Sequence, residues 1–502
     1  METEKKNLTR EQQILKQKWV TPVFALFVCI WTMIVLTHYS GYSFWGDEMG
    51  TVFISNPIRS VFETLMIDVN EDVFVPPIFY LVANIWMKIA PYGTSRLLLI
   101  CEIFTCAGIF ITALAAQKAK NNICGIAAAI LTSVLPYLAT QGAYEFRHYA
   151  LWFMFTAFML WFYFRKLRDP GIMNLLLLAV SAILASYTHF SAVILFFCMF
   201  LADVYLFIGK KQKIRAIIPY LVWGILFFPY LVYAYFKARS LTQQFHWDAP
   251  ALKEFFTIIP DILIDPLLIG LWGLSVAWVL FRLISCVRNK TRLFDSEHFP
   301  AFFVYWLILG YRLINFIYSR VNANYSMWTT RYFFCLLPCV TLLISFALYD
   351  LVILPLCRKT NRSSALKVAA GLALVCGTIY LELNFIRACR AHRYPEIIYQ
   401  PYEQGAEFLR TMDDLRSPET AIYYSAYNIE AWQYYLAHGD MTPGLFNFLP
   451  MDASGSDLSP YKTIYVMEIQ NPIPEATKEK FLREFESEEL HHDMKIFRLT
   501  RK

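Results

Sequence analysis

Apolar residues in this chain fall into blocks of membrane-spanning length, divided by short polar stretches. The blocks run over roughly 20–39, 96–116, 123–140, 150–164, 174–188, 191–208, 216–236, 264–284, 300–318, 332–350 and 366–382. Most approach the ~20 residues that a helix needs to cross a bilayer. Two apolar segments between the first and second blocks differ in kind. "SNPIRSVFETLM" places Asn56 as an N-cap and Pro57 at the first helical position, with Ile58, Val61, Phe62, Leu65 and Met66 on one face. "PPIFYLVANIWMKIAP", residues 76 to 91, is bracketed by prolines, with Pro77 in its first turn, and is short for a crossing. Both are expected to lie in the membrane interface. The pattern therefore predicts a polytopic α-helical membrane protein with about 11 transmembrane helices and two interfacial helices in its first outer loop.

Basic residues test that count. With the N-terminal tail (Lys5, Lys6, Arg10, Lys16, Lys18) taken as cytoplasmic, every second loop is also basic. These loops hold Lys118 and Lys120, then Arg165, Lys166 and Arg168, then Lys210, Lys211, Lys213 and Arg215. Arg282, Arg288, Lys290 and Arg292 follow, and finally Arg358, Lys359, Arg362 and Lys367. That places 22 Lys and Arg inside against nine in the opposite loops, with Arg312 within a block, as the positive-inside rule requires. The N-terminus is then expected inside and the C-terminus outside. Counting residues 76–91 as a span would put most basic loops outside.

Composition sharpens this reading. Of 502 residues, 57% are hydrophobic and 17% charged, against ~25% charged in a soluble domain. The net charge of +6 is uneven, because 18 Asp and Glu face 13 Lys and Arg from Asn384 onward. A basic membrane part with an acidic tail argues against a nucleic-acid partner. The 11 cysteines lie mostly inside apolar blocks, none beyond Cys389, with no CxxC pair or Cys/His cluster. A disulfide framework or structural zinc site is not expected. No small-residue cleavage pattern follows the first block, so it is read as an anchor that stays.

Chemistry is sought in the outer loops. "YSFWGDEMG" puts Asp47 and Glu48 just after the first block, and Glu71 and Asp72 follow in the same loop. "GAYEFRHYAL" offers Glu145, Arg147, His148 and Tyr149, and "SYTHFSA" offers His189. Lys237, Arg239, His246, Asp248 and Lys253 occupy the next loop. "SRVNANYSMWTTRYFF" adds Arg320, Asn324, Tyr325, Trp328 and Arg331, and Arg96 opens the second block from the same side. Arginine forks can grip a phosphate leaving group, and a carboxylate in a partly apolar setting can take a proton from an attacking hydroxyl. No nucleotide-sugar pool exists outside a membrane, so such a site would need a donor delivered on lipid.

In that order, "YSFWGDEMG", the Pro-Pro helix with Arg96 after it, "EFRHYAL", "YTH" and "TRYFFCLLP" resemble the GT-C class of lipid-phosphate-sugar-dependent glycosyltransferases. The likeness covers most of residues 40 to 340 and points to the bacterial branch related to protein O-mannosyltransferases and lipid A aminoarabinose transferase. It implies a GT-C fold and an inverting displacement at the sugar's anomeric carbon, with Asp47 as general base and Glu48 as its acidic neighbour. The donor phosphate falls to some of Arg96, Arg147 and Arg331, unranked. Tyr149, His189 and Glu145 are the expected substrate contacts. The implied partners are a polyprenyl-phosphate sugar, a hydroxyl-bearing glycan, lipid or protein acceptor, and membrane lipid, in a bacterial inner membrane. Two departures stand out. Val75 replaces the His that many relatives place before the two prolines, and the acids are adjacent rather than Asp-x-Asp. The second departure disfavours an obligatory divalent metal, and no metal ligands are assigned. Trp45 and Trp328 are expected to touch sugar or lipid.

Residues 1–383 are read as the membrane module and 384–502 as a small extracytoplasmic α/β domain. In that tail "YEQGAEFLRTM", "NIEAWQYYLAH" and "PEATKEKFLREFESEEL" read as helices, and "ETAIYYSAY", "YKTIYVMEI" and "HDMKIFRLTR" as strands. Glu430, Trp432 and Tyr434 are its candidates for acceptor contact. The rival reading of the whole chain is a transporter or flippase of a lipid-linked glycan. Transporters hold their sites near the midplane on broken helices, whereas the acids and arginines here gather at one rim.

Overall fold

The computed structural model describes residues 17–41, 43–71, 76–90, 92–240, 249–322, 326–357, 364–393, 402–425, 432–468 and 472–502. Tyr42, Asp72, Val75, His246, Asp248, Asn324, Tyr325, Glu430 and most of the basic N-terminal tail lie outside this set, as do the side chains of Glu71 and Arg239. Each of the eleven apolar blocks contains a helix. Seven helical segments are long and apolar enough to cross a membrane: Val20–Tyr39, Thr94–Ala119, Ile214–Lys237, Pro266–Arg288, Phe299–Val321, Thr330–Leu356 and Lys367–Arg393. Tyr149–Arg168 matches them in length, while Asn122–Ser133, Ile172–Ser186 and Ala192–Ile208 are shorter apolar helices. Large apolar side chains on the outer helices, such as Ile225, Phe228, Ile284 and Val287, remain exposed, as lipid contact requires.

Thr94–Ala119 is the central strut, packed against Val20–Tyr39, Asn122–Ser133 and Tyr149–Arg168. Small residues permit this closeness. A Cβ on Gly108 would lie 2.2 Å from Phe153 Cε1, so only glycine lets the two helices meet there. Tyr149–Arg168, about 30 Å long at 1.5 Å per residue, carries Arg147 and Tyr149 near one end and Arg165, Lys166 and Arg168 at the other. The base-rich loops thus share one end of the bundle, tied by the Lys166–Asp203, Lys120–Asp350 and Lys211–Asp295 ion pairs.

The opposite end is built from the loop after the first apolar block. Gly46–Ile54 forms a short helix, followed by a turn in which Asn56 Oδ1 accepts the Ile58 N–H at 3.0 Å. The next helix starts at Val61, not at the expected Asn56–Pro57 cap. A reciprocal box decides the start: the Ser60 N–H donates to Glu63 Oε2 at 2.7 Å and the Glu63 N–H to Ser60 Oγ at 3.2 Å. Ile58, Val61, Phe62 and Met66 stay exposed, as in an interfacial element. Ile78–Ile89 begins just after Pro77 and spans about 18 Å, too short to cross a bilayer. Its buried Asn84 donates to the Asn56 carbonyl at 2.8 Å, which pins it to the preceding turn.

Leu252–Leu263 is a helix that the sequence reading left as loop. It packs against the 3₁₀ segment Thr330–Leu336 and against Phe299–Val321. Lys253, Glu254, Asp261 and Pro260 interrupt its apolar pattern, which hid it. Arg312 lies within Phe299–Val321, nearly buried, with its guanidinium carbon 4.4 Å from the Phe255 ring centre of this helix.

The last membrane helix, Ser364–Arg393, runs through position 384. Beyond it lies a four-stranded sheet in the order β1 (Thr420–Tyr424), β2 (Thr463–Met467), β4 (Ile496–Arg501), β3 (Phe485–His491), with β1 and β2 parallel and the other pairs antiparallel. The expected helix over "PEATKEKFLREFESEEL" ends at Glu484, and "FESEELH" is β3 instead. Its partner β4 supplies the ladder, and its row of exposed acids suits an edge strand. The domain packs onto the loops at this end of the bundle. Tyr435 Oη accepts the Phe44 N–H at 3.0 Å, Tyr434 Oη accepts the Gly93 N–H at 2.9 Å, and Ser43 Oγ accepts the Glu403 N–H at 3.3 Å. Phe44, Met49, Phe146, Tyr402, Trp432 and Tyr435 belong to one shared core.

Candidate functional site

Three chain segments, far apart in sequence, bring their polar groups together beneath this domain. The first is the start of Gly46–Ile54. Trp45 is extended, so the helix begins at Gly46 and turns Asp47 and Glu48 into its first turn, where a carboxylate complements the free N–H groups. The second is the stretch Glu145–His148, between a π-helical turn (Leu138–Ala143) and the Tyr149 helix. The third is Thr330–Leu336.

Asp47 is the accessible carboxylate, with its side chain 43% exposed. Its Oδ2 lies 3.3 Å from Arg331 Nη1 and 3.8 Å from Arg147 Nη2. Arg147 also donates through Nη1 to the Asp47 carbonyl at 2.9 Å, fixing the guanidinium to the helix start. The Arg331 guanidinium sits over the Trp45 ring at 4.9 Å and contacts the Tyr149 hydroxyl. Asp47, Arg147 and Arg331, singled out in the sequence for separate roles, thus meet in one cluster.

Glu48 faces inward. Its Oε1 accepts the Phe146 N–H at 2.6 Å and its Oε2 the Trp45 N–H at 3.0 Å, with 2% of the residue exposed. Burial, helped by the nearby Glu145 charge, pushes its carboxyl well above the usual range. The geometry makes Glu48 a positioning residue that joins the first two segments. Glu145 is also buried, and its Oε2 has no hydrogen-bond partner. Burial pushes its carboxyl up to about 7, against the opposing pull of the Arg331 and Arg147 cations. Gln141, from the π-helical turn, interacts with Glu145 and was missed in the sequence, where nothing marks it. Such turns often accompany functional sites.

His189 stacks on Trp152 with ring centres 4.0 Å apart and meets Tyr332 edge-on at 5.1 Å. Its Nδ1 accepts the Ser191 N–H at 3.1 Å. Burial, and then the Arg147 charge, hold its pKa down at about 3, so the ring is neutral. His148, 5.0 Å from it, is likewise held well below its ordinary value by burial. Arg96 has no ion pair or hydrogen bond to Asp47 among the described residues. It is exposed, makes no ion pair among the described residues, and lies on the side of Tyr434. Trp328 is packed among Phe255, Phe316 and Phe333, and Trp432 and Tyr434 are buried in the shared core, so these three serve packing. Among the described residues, no group of three or more His, Cys, Asp or Glu is arranged to hold a metal ion.

The architecture and the rim position of this cluster define the GT-C fold of membrane glycosyltransferases. Solved structures that share it include ArnT of Cupriavidus metallidurans in the apo state, with a TM-score of 0.59, 11% identity, 94% of this chain covered and 97% of that one. The same protein bound to undecaprenyl phosphate gives a TM-score of 0.57, 12% identity, and coverage of 96% and 98%. The apo oligosaccharyltransferase of Archaeoglobus fulgidus gives 0.51, 12% identity, and coverage of 89% and 70%. No protein-family model and no curated protein matches the chain.

Proposed function

We propose that the chain is an inverting glycosyltransferase that moves a monosaccharide from a polyprenyl-phosphate donor to a hydroxyl acceptor. The acceptor would be an envelope glycolipid, lipopolysaccharide, another glycan or a protein. The observation that carries this reading is one carboxylate, Asp47, held at the rim of a membrane bundle by two guanidinium groups at 3.3 and 3.8 Å. ArnT, whose fold this chain shares, was crystallised with undecaprenyl phosphate, and the same lipid class fits here.

In this reading the donor phosphate takes its place beside Arg147 and Arg331, and Asp47 is freed toward the acceptor. Its carboxylate accepts the acceptor's hydroxyl proton as the new oxygen–C1 bond forms. The old C1–oxygen bond breaks, its electron pair stays on the phosphate, and the two cations stabilise the added charge. Glu145, close to half-protonated near neutral pH, leaves this pair with net positive charge. Arginines rather than a divalent ion are inferred to hold the phosphate. The reading places the site and the C-terminal domain outside a bacterial inner membrane and the N-terminus inside.

The test supplies the purified chain with labelled polyprenyl-phosphate sugars and a cell-envelope extract, with and without chelator. Asp47→Asn is expected to cut transfer by about a thousandfold or more while the fold survives. Near-normal transfer by that variant would remove Asp47 as the base. Transport of a lipid-linked glycan without donor cleavage would favour the flippase.

A further inference from the structure

At the end of the bundle away from Asp47, a cavity of about 310 Å³ lies among Lys166, Lys211, Lys213 and Arg215. The Tyr149–Arg168 helix end, the turn after Ala192–Ile208 and the segment leading into Phe299–Val321 form its walls. Two of the cations are neutralised. Lys166 pairs with Asp203, which also accepts from Tyr163 Oη at 2.8 Å and Tyr220 Oη at 2.6 Å, and Lys211 pairs with Asp295. Lys213 and Arg215 form no ion pair among the described residues, so two positive charges remain uncompensated at the cavity. Gln212, also in the lining, has a buried Oε1 that accepts no hydrogen bond.

Beside this cavity, and sharing Phe299 with it, an apolar groove of about 340 Å³ runs between Ala192–Ile208 and Phe299–Val321. Leu201, Tyr205, Phe302 and Trp306 line it. From Phe299 to Trp306 the groove follows about 10 Å of helix toward the bilayer centre. Trp306 Nε1 donates to the Cys198 carbonyl at 2.9 Å, which fixes the indole at the deep end. A basic cup opening into an apolar slot along the helices has the order of parts of a single phospholipid.

We propose that this is a binding site for an anionic phospholipid, with phosphatidylglycerol as the probe. Lys213 and Arg215 hold the phosphate, and one acyl chain fills the groove. Basic pockets between helices at the cytoplasmic face take anionic lipid in this way. The site lies a bilayer's thickness from the transfer chemistry and does not depend on it.

The experiment delipidates the full chain in a neutral detergent and adds phosphatidylglycerol, phosphatidylcholine or inorganic phosphate. Bound lipid is counted by native mass spectrometry and the thermal midpoint is followed in parallel. Wild type is expected to retain phosphatidylglycerol over phosphatidylcholine and to melt higher with it. The exposed double variant Lys213→Glu/Arg215→Glu is expected to lower that retention by about thirtyfold or more, two basic contacts being removed. Ala202→Trp, which fills the groove and leaves the charge untouched, is expected to lower it as well. Equal retention of phosphatidylcholine, an equal midpoint shift from inorganic phosphate, or wild-type retention by the charge variant would each overturn the proposal. Sugar transfer is not read, so failure of the transferase reading leaves this result intact.

Discussion

Glu48 Oε1 accepts the Phe146 N–H at 2.6 Å, a bond that links two loops at one end of the bundle across 98 positions of sequence. The same carboxyl accepts the Trp45 N–H through its other oxygen, so one buried group orders both sides of Asp47. Removing it by Glu48→Ala leaves the buried Phe146 donor unbonded, at a cost of roughly 1–3 kcal/mol, and the part-buried Trp45 donor at a smaller one. The thermal midpoint is expected to fall by a few degrees. Transfer is expected to fall further than stability, because Arg147 is held against the Asp47 carbonyl that this bridge places. Glu48→Gln keeps one acceptor oxygen and is expected to fall between alanine and wild type. A melting curve for Glu48→Ala that overlays the wild type would refute the bridge.

Glu145 gives a pH dependence whose sign is determined by burial. Its folded pKa, about 7, stands above the ordinary carboxylate value because the charged form is poorly solvated. The unfolded chain gives up that proton at lower pH than the folded one. Stability linked to the neutral acid is therefore complete below about pH 4.5 and is lost as pH rises to and through about 7. The full loss is about 3 kcal/mol. Glu145→Gln, neutral throughout, should lack this component. Melting the two proteins at several values between pH 5 and pH 8 reads it directly, and parallel curves would count against the assignment.

The membrane helices were legible because apolar blocks and basic loops report one physical constraint, the cost of polar groups in hydrocarbon. Asp47, Arg147 and Arg331 were legible as a group because outer-rim charges are scarce, but their pairing needed the fold. The role of Glu48 was hidden, since a sequence shows an acid but not which way it turns. Gln141 acts through a π-helical turn that leaves no pattern, and the helix Leu252–Leu263 is masked by its own charges and Pro260. The strand Phe485–His491 continues a helix-favouring composition and becomes a strand only because Ile496–Arg501 pairs with it. Arg96 fits the motif order, yet it forms no ion pair with the carboxylate among the described residues, and its charge acts on Tyr434.

That difference in contacts ranks the three arginines. Arg147→Lys and Arg331→Lys keep the charge but lose the planar fork that matches phosphate oxygens. Each is expected to raise the donor KM about tenfold or more, and alanine at either position should cost a further factor in kcat. Arg96→Ala is expected to change kcat/KM by less than about threefold, the scale of a group that contacts neither donor nor base. Steady-state kinetics on the purified variants with a fixed acceptor makes the comparison. A larger loss from Arg96→Ala than from Arg331→Ala would reverse the ranking.

Gly93 is one of the points where the C-terminal domain meets the membrane module, and its backbone conformation presents the donor there. Its φ of +110° is open to glycine and strained for other residues, and its N–H donates to Tyr434 Oη at 2.9 Å. A Cβ there would meet nothing closer than the Arg96 side chain at 3.7 Å, so Gly93→Ala tests conformation and not crowding. The substitution is expected to cost about 1–3 kcal/mol. Tyr434→Phe removes only the acceptor and leaves the Gly93 N–H unbonded, for about 1 kcal/mol. If the two act on one joint, the double variant should lose less than the sum of the single losses, because the strained turn no longer presents its N–H to the tyrosine. Hydrogen exchange at residues 402–409 and thermal melting give the readouts. Full additivity would mean that the Gly93 turn and the Tyr434 hydroxyl stabilise the docked domain independently.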